Sequence, residues 1–359
     1  MNTSTLPKSG GEKGDVVLES IREQRDIRVY DSYDVIIIGG GVAGMSAALA
    51  ARRNGMRTLL VEKAAFMGGL ATLGHVCLYL PLCDGNGRKV IGGISEELLH
   101  LSIQYGYNDL PEGWTRGILH HPDPKGRYKT WFNIPAFVLA ADELMENEGV
   151  EILYDTVFCE PVMDGKTVTG VIVENKSGRC AYKAKMVVDA SGDADVLYRA
   201  GAACFDRPTI LSYWCYETDF KHMRKALESG NIRDAVVVPM MGLLPKIEPE
   251  DMTGERADKP GERGQMREYY GTDGKEVSQY LQVSRKFALE RLKERMGPEY
   301  TQLSVAGMGA FRTTRRITGC YELHPEDMNK HFDDSIGCTG DWRKAGPVYE
   351  IPYRCLIDP

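Results

Sequence analysis

Gly39, Gly41 and Gly44 stand at the spacing G-x-G-x-x-G, and an acid, Glu62, follows them after the length of one helix and one strand. These residue types have a joint chemistry. Gly39 permits a tight turn, Gly41 lets a pyrophosphate approach the backbone at a helix N-terminus, and Gly44 lets helix and strand pack closely. Glu62 stands where a carboxylate accepts from a ribose 2′-hydroxyl. A glycine pattern alone is a weak signal, and the elements around it are what give it weight. Val35-Ile36-Ile37-Ile38 reads as a strand buried on both faces, Met45 to Arg53 as a helix, and Thr58-Leu59-Leu60-Val61 as a second strand ending at the acid. The competing reading is a glycine turn in an α/β domain without a nucleotide. NAD and FAD share the fingerprint, so it leaves the choice between them open.

Beyond Lys63, the loop "AAFMGGLATLG" offers Gly68, Gly69, Ala71 and Thr72: small residues, backbone N–H groups and a hydroxyl able to complete a phosphate cradle. A plain flexible loop is the alternative. Residues 151–190 hold three strand-like runs, "EILYDTVFCEPVMD", "TVTGVIVEN" and "CAYKAKMVVDA", parted by Asp164-Gly165 and Ser177-Gly178, which predicts a β-meander with hairpin turns. It runs into "VVDASGDADV", whose Ala190, Ser191, Gly192 and Asp193 form a small-residue turn suited to close approach of a nucleotide.

Groups for acid–base or substrate chemistry are fewer. Arg312, Arg315 and Arg316 follow Gly307-Met308-Gly309, and a guanidinium there can clamp a carboxylate or oxyanion in bidentate fashion; surface salt bridges are the alternative. His75 follows the glycine loop and is the histidine best placed to move a proton, against the alternative of a structural imidazole. His120, His121 and His324 are weaker candidates. Cys77 and Cys83 lack the C-x-x-C spacing of a redox pair and read as buried thiols.

The order of glycine fingerprint, acid, "GGLAT", meander and "DASGDADV" resembles the FAD-dependent oxidoreductases of the glutathione-reductase-like superfamily. Within it the chain is most similar to a bacterial family with "GGLATLGHVCLYLPLCDGNGRKVIGGISEELL" (68–99), "FRTTRRITGCYEL" (311–323) and "YEIPYRCLI" (349–357) as they stand here. The resemblance spans nearly all of residues 33–357. It implies FAD as cofactor, held by Gly39, Gly41, Val42, Ala43, Gly44, Glu62 and Lys63, by the loop at Gly68, Gly69, Ala71 and Thr72, by Val157, and by Ala190, Ser191, Gly192 and Asp193. It also implies that the arginine motif lies near the flavin and that a last glycine-containing segment after the "IPYR" strand closes the site. The sequence given stops at Pro359, before such a segment, and so reads as a truncated product that holds FAD weakly.

The expected fold class is α/β, a Rossmann-like FAD-binding domain with a β-meander plus a second α+β substrate domain. Its divisions are a leader (1–31), FAD-binding segments (32–75 and 151–204), a helical and loop insertion (76–150), a substrate domain (205–345) and a truncated strand returning to the FAD domain (346–359). Helices are expected in "AFVLAADELMENEG" and "EVSQYLQVSRKFALERLKERMG", and an exposed loop over 249–265.

With 359 residues, 43% of them hydrophobic, the chain is long enough for about two domains, and a net charge of −7 without a basic block argues against nucleic acid or an anionic membrane surface. The nine scattered cysteines form no zinc pattern and suggest a reducing, cytoplasmic setting. The first 30 residues lack a signal-peptide core, and no apolar stretch is long enough to span a bilayer. The expected partner is a small-molecule substrate, with a homo-oligomer left open. Three functions fit: an FAD-dependent oxidoreductase passing hydride between a small organic substrate and flavin; a non-catalytic or incomplete FAD-binding protein; and a flavin monooxygenase, disfavoured because "GDADV" lacks the histidine of a "GDAxH" motif.

Overall fold

Val35 to Ile38 form the buried half of an eleven-residue strand, β1 (Arg28–Ile38). Its side chains alternate between two cores. Ile37 joins Met45, Ala48 and Leu49 of the following helix α1 (Val42–Arg53), while Ile36 and Ile38 join Leu59, Val61, Val171 and Val173 on the other face. A strand covered on both faces needs apolar residues at every position, hence an unbroken run. The computed structural model describes residues 21–107, 109–209, 212–241, 268–311, 314–341 and 343–357; the loop expected over 249–265 and Arg312 lie outside them.

The main sheet contains β1, β2 (Thr58–Val61), β3 (Glu151–Leu153), β4 (Val157–Asp164), β5 (Thr167–Asn175) and β6 (Gly178–Asp189), in the order β3-β2-β1-β6-β5-β4. The pairs β3–β2, β2–β1 and β1–β6 are parallel, and β6–β5 and β5–β4 are antiparallel. The result is a mixed α/β sheet with a parallel-dominated half and a meander. One strand unites them: β6 pairs along β1 from Arg28↔Cys180 to Ile38↔Asp189, and its first residues also pair with β5.

Three details differ from the sequence-based expectation. Residues 28–31 are part of the first strand itself, paired with β6, so the leader does not run to 31. The run "EILYDTVFCEPVMD" is two strands, because Asp155 takes a left-handed φ of 48° that breaks it; β3 then pairs with β2 and only β4 enters the meander. The last strand, Val348–Pro352, pairs with Ser335–Gly340 in a two-stranded ribbon and not with the main sheet. The Asn329 side chain accepts from the Val348 N–H and helps hold it there.

Between β2 and β3 lie helices α2 (Gly93–Gln104) and α3 (Ile134–Asn147). The Asn133 side chain caps α3 by accepting from the Ala136 N–H at 3.0 Å, and Ile134, Phe137, Ala140, Ala141 and Met145 turn one stripe into the core. After the short helix α4 (Asp195–Arg199), a second sheet is formed by β7 (Tyr213–Asp219), residues 240–241 and β8 (Tyr300–Val305). Helix α5 (Gly274–Arg295), capped by Asp273, presents Tyr280, Ser284 and Ala288 at intervals of four residues as its buried face. Tyr216 of β7 nevertheless sits in the same core as Met45, Met67 and Cys77. The second sheet therefore shares apolar packing with the first along this edge.

Candidate functional site

The C-terminal ends of β1, β2 and β6 and the N-terminus of α1 converge on a cleft of about 330 Å³. The three fingerprint glycines do different work there. Gly39 has a φ of 103°, and a Cβ on it would stand 2.3 Å from the Ala190 carbonyl oxygen. On Gly44 a Cβ would stand 1.8 Å from the Gly39 carbonyl oxygen. Both positions are therefore demanded by the chain's own packing. Gly41 is different: it caps α1 with an ordinary φ of −66°, and a Cβ there would meet nothing within 4 Å. The fold has no need of glycine at 41. Glycine there leaves the space in front of the helix N-terminus open.

Glu62 is buried at the end of β2, 5% exposed. Its carboxylate accepts from the Gly40 N–H at 2.6 Å and the Ala64 N–H at 2.8 Å. A carboxylate has about four lone-pair sites, so two remain for a hydroxyl ligand. The following loop is an ordered part of the site. Gly68 N–H donates to the Gly40 carbonyl at 2.8 Å. A Cβ on Gly69, whose φ is 53°, would stand 3.2 Å from Gly41 Cα. The Thr72 hydroxyl, however, donates to the Met67 carbonyl at 2.7 Å beneath the loop, so Thr72 braces the cradle and does not line it. Gly44 likewise stays behind the wall.

Val42, Ala43, Lys63, Ala71 and Val157 line the cleft, as do Ala190, Ser191, Gly192 and Asp193 at the end of β6. This last turn is built by Asp189, whose carboxylate accepts from the Ser191 N–H and hydroxyl and from the Val196 and Leu197 N–H groups at the start of α4. Burial raises the pKa of Asp193, opposed by the Thr314 hydroxyl and more weakly by Lys63 and Arg315.

The described groups expected to handle substrate are not among the residues lining this cleft. The Arg315 Nε–H donates to the Asp193 carbonyl at 2.9 Å, its Nη2 pairs with Asp195, and its guanidinium lies 3.9 Å from the Tyr198 ring centroid. It is an anchor of the 189–195 turn, engaged by the Asp193 carbonyl, the Asp195 carboxylate and the Tyr198 ring. Arg316 lies on the surface paired with Glu322. His75 is buried outside the cleft, with Nε2 3.2 Å from Ser304 Oγ and its ring 5.0 Å from that of Tyr216. Cys77 and Cys83 are buried free thiols, and burial pushes Cys77 up to about 11.

Sequence reasoning missed Leu70, Leu73, Thr156, Phe158, Met308, Gly309 and Phe311 as cleft residues. Gly307-Met308-Gly309 was legible as a motif, but its contact with the cleft depends on the Leu73 carbonyl, which accepts from the Gly307 N–H at 2.8 Å across a long sequence separation. Among the described residues no cluster of His, Cys, Asp and Glu is arranged to hold a metal, and no helix is long and apolar enough to cross a membrane.

Residues 34–205 match the family of FAD dependent oxidoreductases. FAD is thus the dinucleotide of this fingerprint, and NAD is set aside. The chain is 27% identical over 168 residues to the digeranylgeranylglycerophospholipid reductase of Picrophilus torridus, covering 45% of this chain and 39% of that protein. It is 34% identical over 80 residues to the thioredoxin reductase of Ureaplasma parvum, covering 22% of this chain and 26% of that one. It thus spans less than half the length of these curated relatives. Among solved structures, the p-nitrophenol 4-monooxygenase of Pseudomonas putida aligns with a TM-score of 0.43 at 14% identity, over 82% of this chain and 70% of that one.

Proposed function

We propose that this chain is part of an enzyme that passes hydride between a small organic substrate and bound FAD, the substrate side being supplied by residues 205–345. The observation that carries the reading is Gly41: open space in front of a helix N-terminus, glycine where the fold has no use for it, and a buried carboxylate one strand away. In this reading the N–H groups of Val42 and Ala43 and the α1 dipole hold the pyrophosphate, Glu62 accepts from the adenosine ribose, and the 190–193 turn approaches the rest of the dinucleotide. Bound FAD supplies the two-electron redox chemistry. The protein's task is then to hold the ring, exclude water and orient the substrate. The Leu73–Gly307 hydrogen bond supports that division, because it joins the glycine loop to the segment that follows β8.

The decisive experiment is chromatographic identification of the cofactor released on heat denaturation, followed by anaerobic titration of the bound flavin with candidate reductants. FAD release with bleaching by a small organic reductant is expected. FAD release with no metabolite able to bleach it would favour a binding protein, and NADPH-dependent oxygen consumption a monooxygenase.

A further inference from the structure

Two side chains more than nine-tenths buried leave polar atoms without hydrogen-bond partners in the same place: His75 Nδ1 and Tyr216 Oη. Their rings lie 5.0 Å apart. The Cys77 thiol beside Tyr216 is too weak an acceptor to satisfy a buried phenol. A third buried atom without a partner, Arg233 Nε, belongs to a guanidinium whose charge is felt by Cys77, Tyr107 and Tyr216. Arg233 stacks 4.5 Å from the Trp131 ring centroid, donates Nη1 to the Val236 carbonyl, and makes no ion pair among the described residues. His75 also holds a left-handed φ of 58°, a conformation that non-glycine residues avoid unless something holds them there.

Buried polar groups are almost always paired, so the unpaired imidazole and phenol lying together, with the Arg233 charge acting on the same tyrosine and its neighbouring thiol, call for a common explanation. The phenol and the guanidinium are donors outright, and the imidazole donates from Nδ1 when its Nε2 accepts from the Ser304 hydroxyl. What satisfies such a set is an anionic oxygen on a small, partly apolar body. The position is telling as well. His75 lies two residues beyond Leu73, which lines the cleft and holds the Gly307 and Met308 N–H groups.

We propose that Tyr216, His75 and Arg233 form a recognition site for the carboxylate of a small organic substrate, at the inner side of the 68–77 loop. The proposal deepens the oxidoreductase reading and rests on it for its link to the flavin.

The test is calorimetric titration of the FAD-loaded protein with pyruvate and benzoate, with benzamide as the neutral shape match of benzoate. At least one carboxylate should bind, and Tyr216→Phe and Arg233→Met should each weaken it at least about tenfold, the scale of a lost charge-assisted hydrogen bond. Flavin content and far-UV circular dichroism should stay as in the wild type, and Arg233→Lys should restore part of the affinity. Tyr216→Phe preserves volume and removes an unpaired hydroxyl, so it guards against a variant that merely unfolds. Failure of both carboxylates to bind, equal binding of benzamide and benzoate, or unchanged affinity in the variants would overturn the proposal. Protein that carries no FAD would instead sink the flavin reading, and the same titrations on that protein would still decide whether the carboxylate site exists.

Discussion

The Glu62 carboxylate accepts from the Gly40 backbone N–H at 2.6 Å, tying the end of β2 to the glycine turn after β1. In the proposed FAD site the acid that would accept from the ribose is thus also a structural clamp on the turn that would carry the pyrophosphate, so the two halves of that site would be coupled through one buried side chain.

Gly41→Val and Gly44→Ala should separate ligand demand from fold demand. At Gly41 a side chain meets no protein atom, so valine should cost only about 1 kcal/mol or less, as a poorer helix cap. FAD occupancy should nevertheless collapse. At Gly44 even a methyl group strikes the Gly39 carbonyl oxygen at 1.8 Å, which should destabilise by about 1–3 kcal/mol or more through forced backbone shifts. Thermal melts and flavin absorbance of both variants decide the matter; normal flavin content in Gly41→Val would remove the central argument for the site.

Glu62→Gln should damage stability and binding together. One carboxylate oxygen becomes an amide NH₂ facing a backbone N–H, so either the Gly40 or the Ala64 contact is lost, at roughly 1–3 kcal/mol for a buried charged hydrogen bond. The apo-protein melt should fall along with FAD affinity. A variant with an unchanged apo melt and weakened FAD would show that Glu62 acts on the ligand alone.

How much of this was legible depends on sequence distance. The β1–α1–β2 unit could be read from residues 35–62 because every requirement is local: a two-face apolar run, glycines at fixed offsets, an acid at a strand end. The small-residue turn at 190–193 was legible for the same reason. The anchoring contacts of Arg315 were not legible because they depend on Asp193 and Asp195, over a hundred residues earlier, and a cluster of arginines looks the same whether it clamps a ligand or a loop. The ribbon Val348–Pro352 was sent to the wrong sheet because an apolar strand does not specify its partner.

Arg315→Met should loosen the cleft without touching substrate. It removes the donor to the Asp193 carbonyl and the partner of Asp195, so about 1–3 kcal/mol of stability and a faster loss of FAD are expected. Arg315→Lys should not rescue, since a point charge cannot span both acceptors and lie over Tyr198. Stopped-flow flavin dissociation would measure this. A dissociation rate equal to wild type, with only substrate turnover altered, would return Arg315 to a direct catalytic role.

The acid side of the stability profile should carry the signature of His75. Burial disfavours its imidazolium and lowers its pKa from 6.5, with a backbone hydrogen bond at Trp214 opposing in part; Ser304 and Tyr216, its side-chain neighbours, bring no negative charge to restore it. The unfolded chain therefore binds a proton that the folded chain refuses. Where the folded pKa is depressed, stability is fully present above about 6.5 and is lost as pH falls through the folded value. Melting temperature should fall on acidification below 6.5, and His75→Gln should flatten that slope while costing some stability at neutral pH through the altered contact with Ser304. Proton NMR of the imidazole gives an independent measure. A His75 that titrates at or above 6.5 in the folded protein would reverse the sign and point to an anionic group beside it.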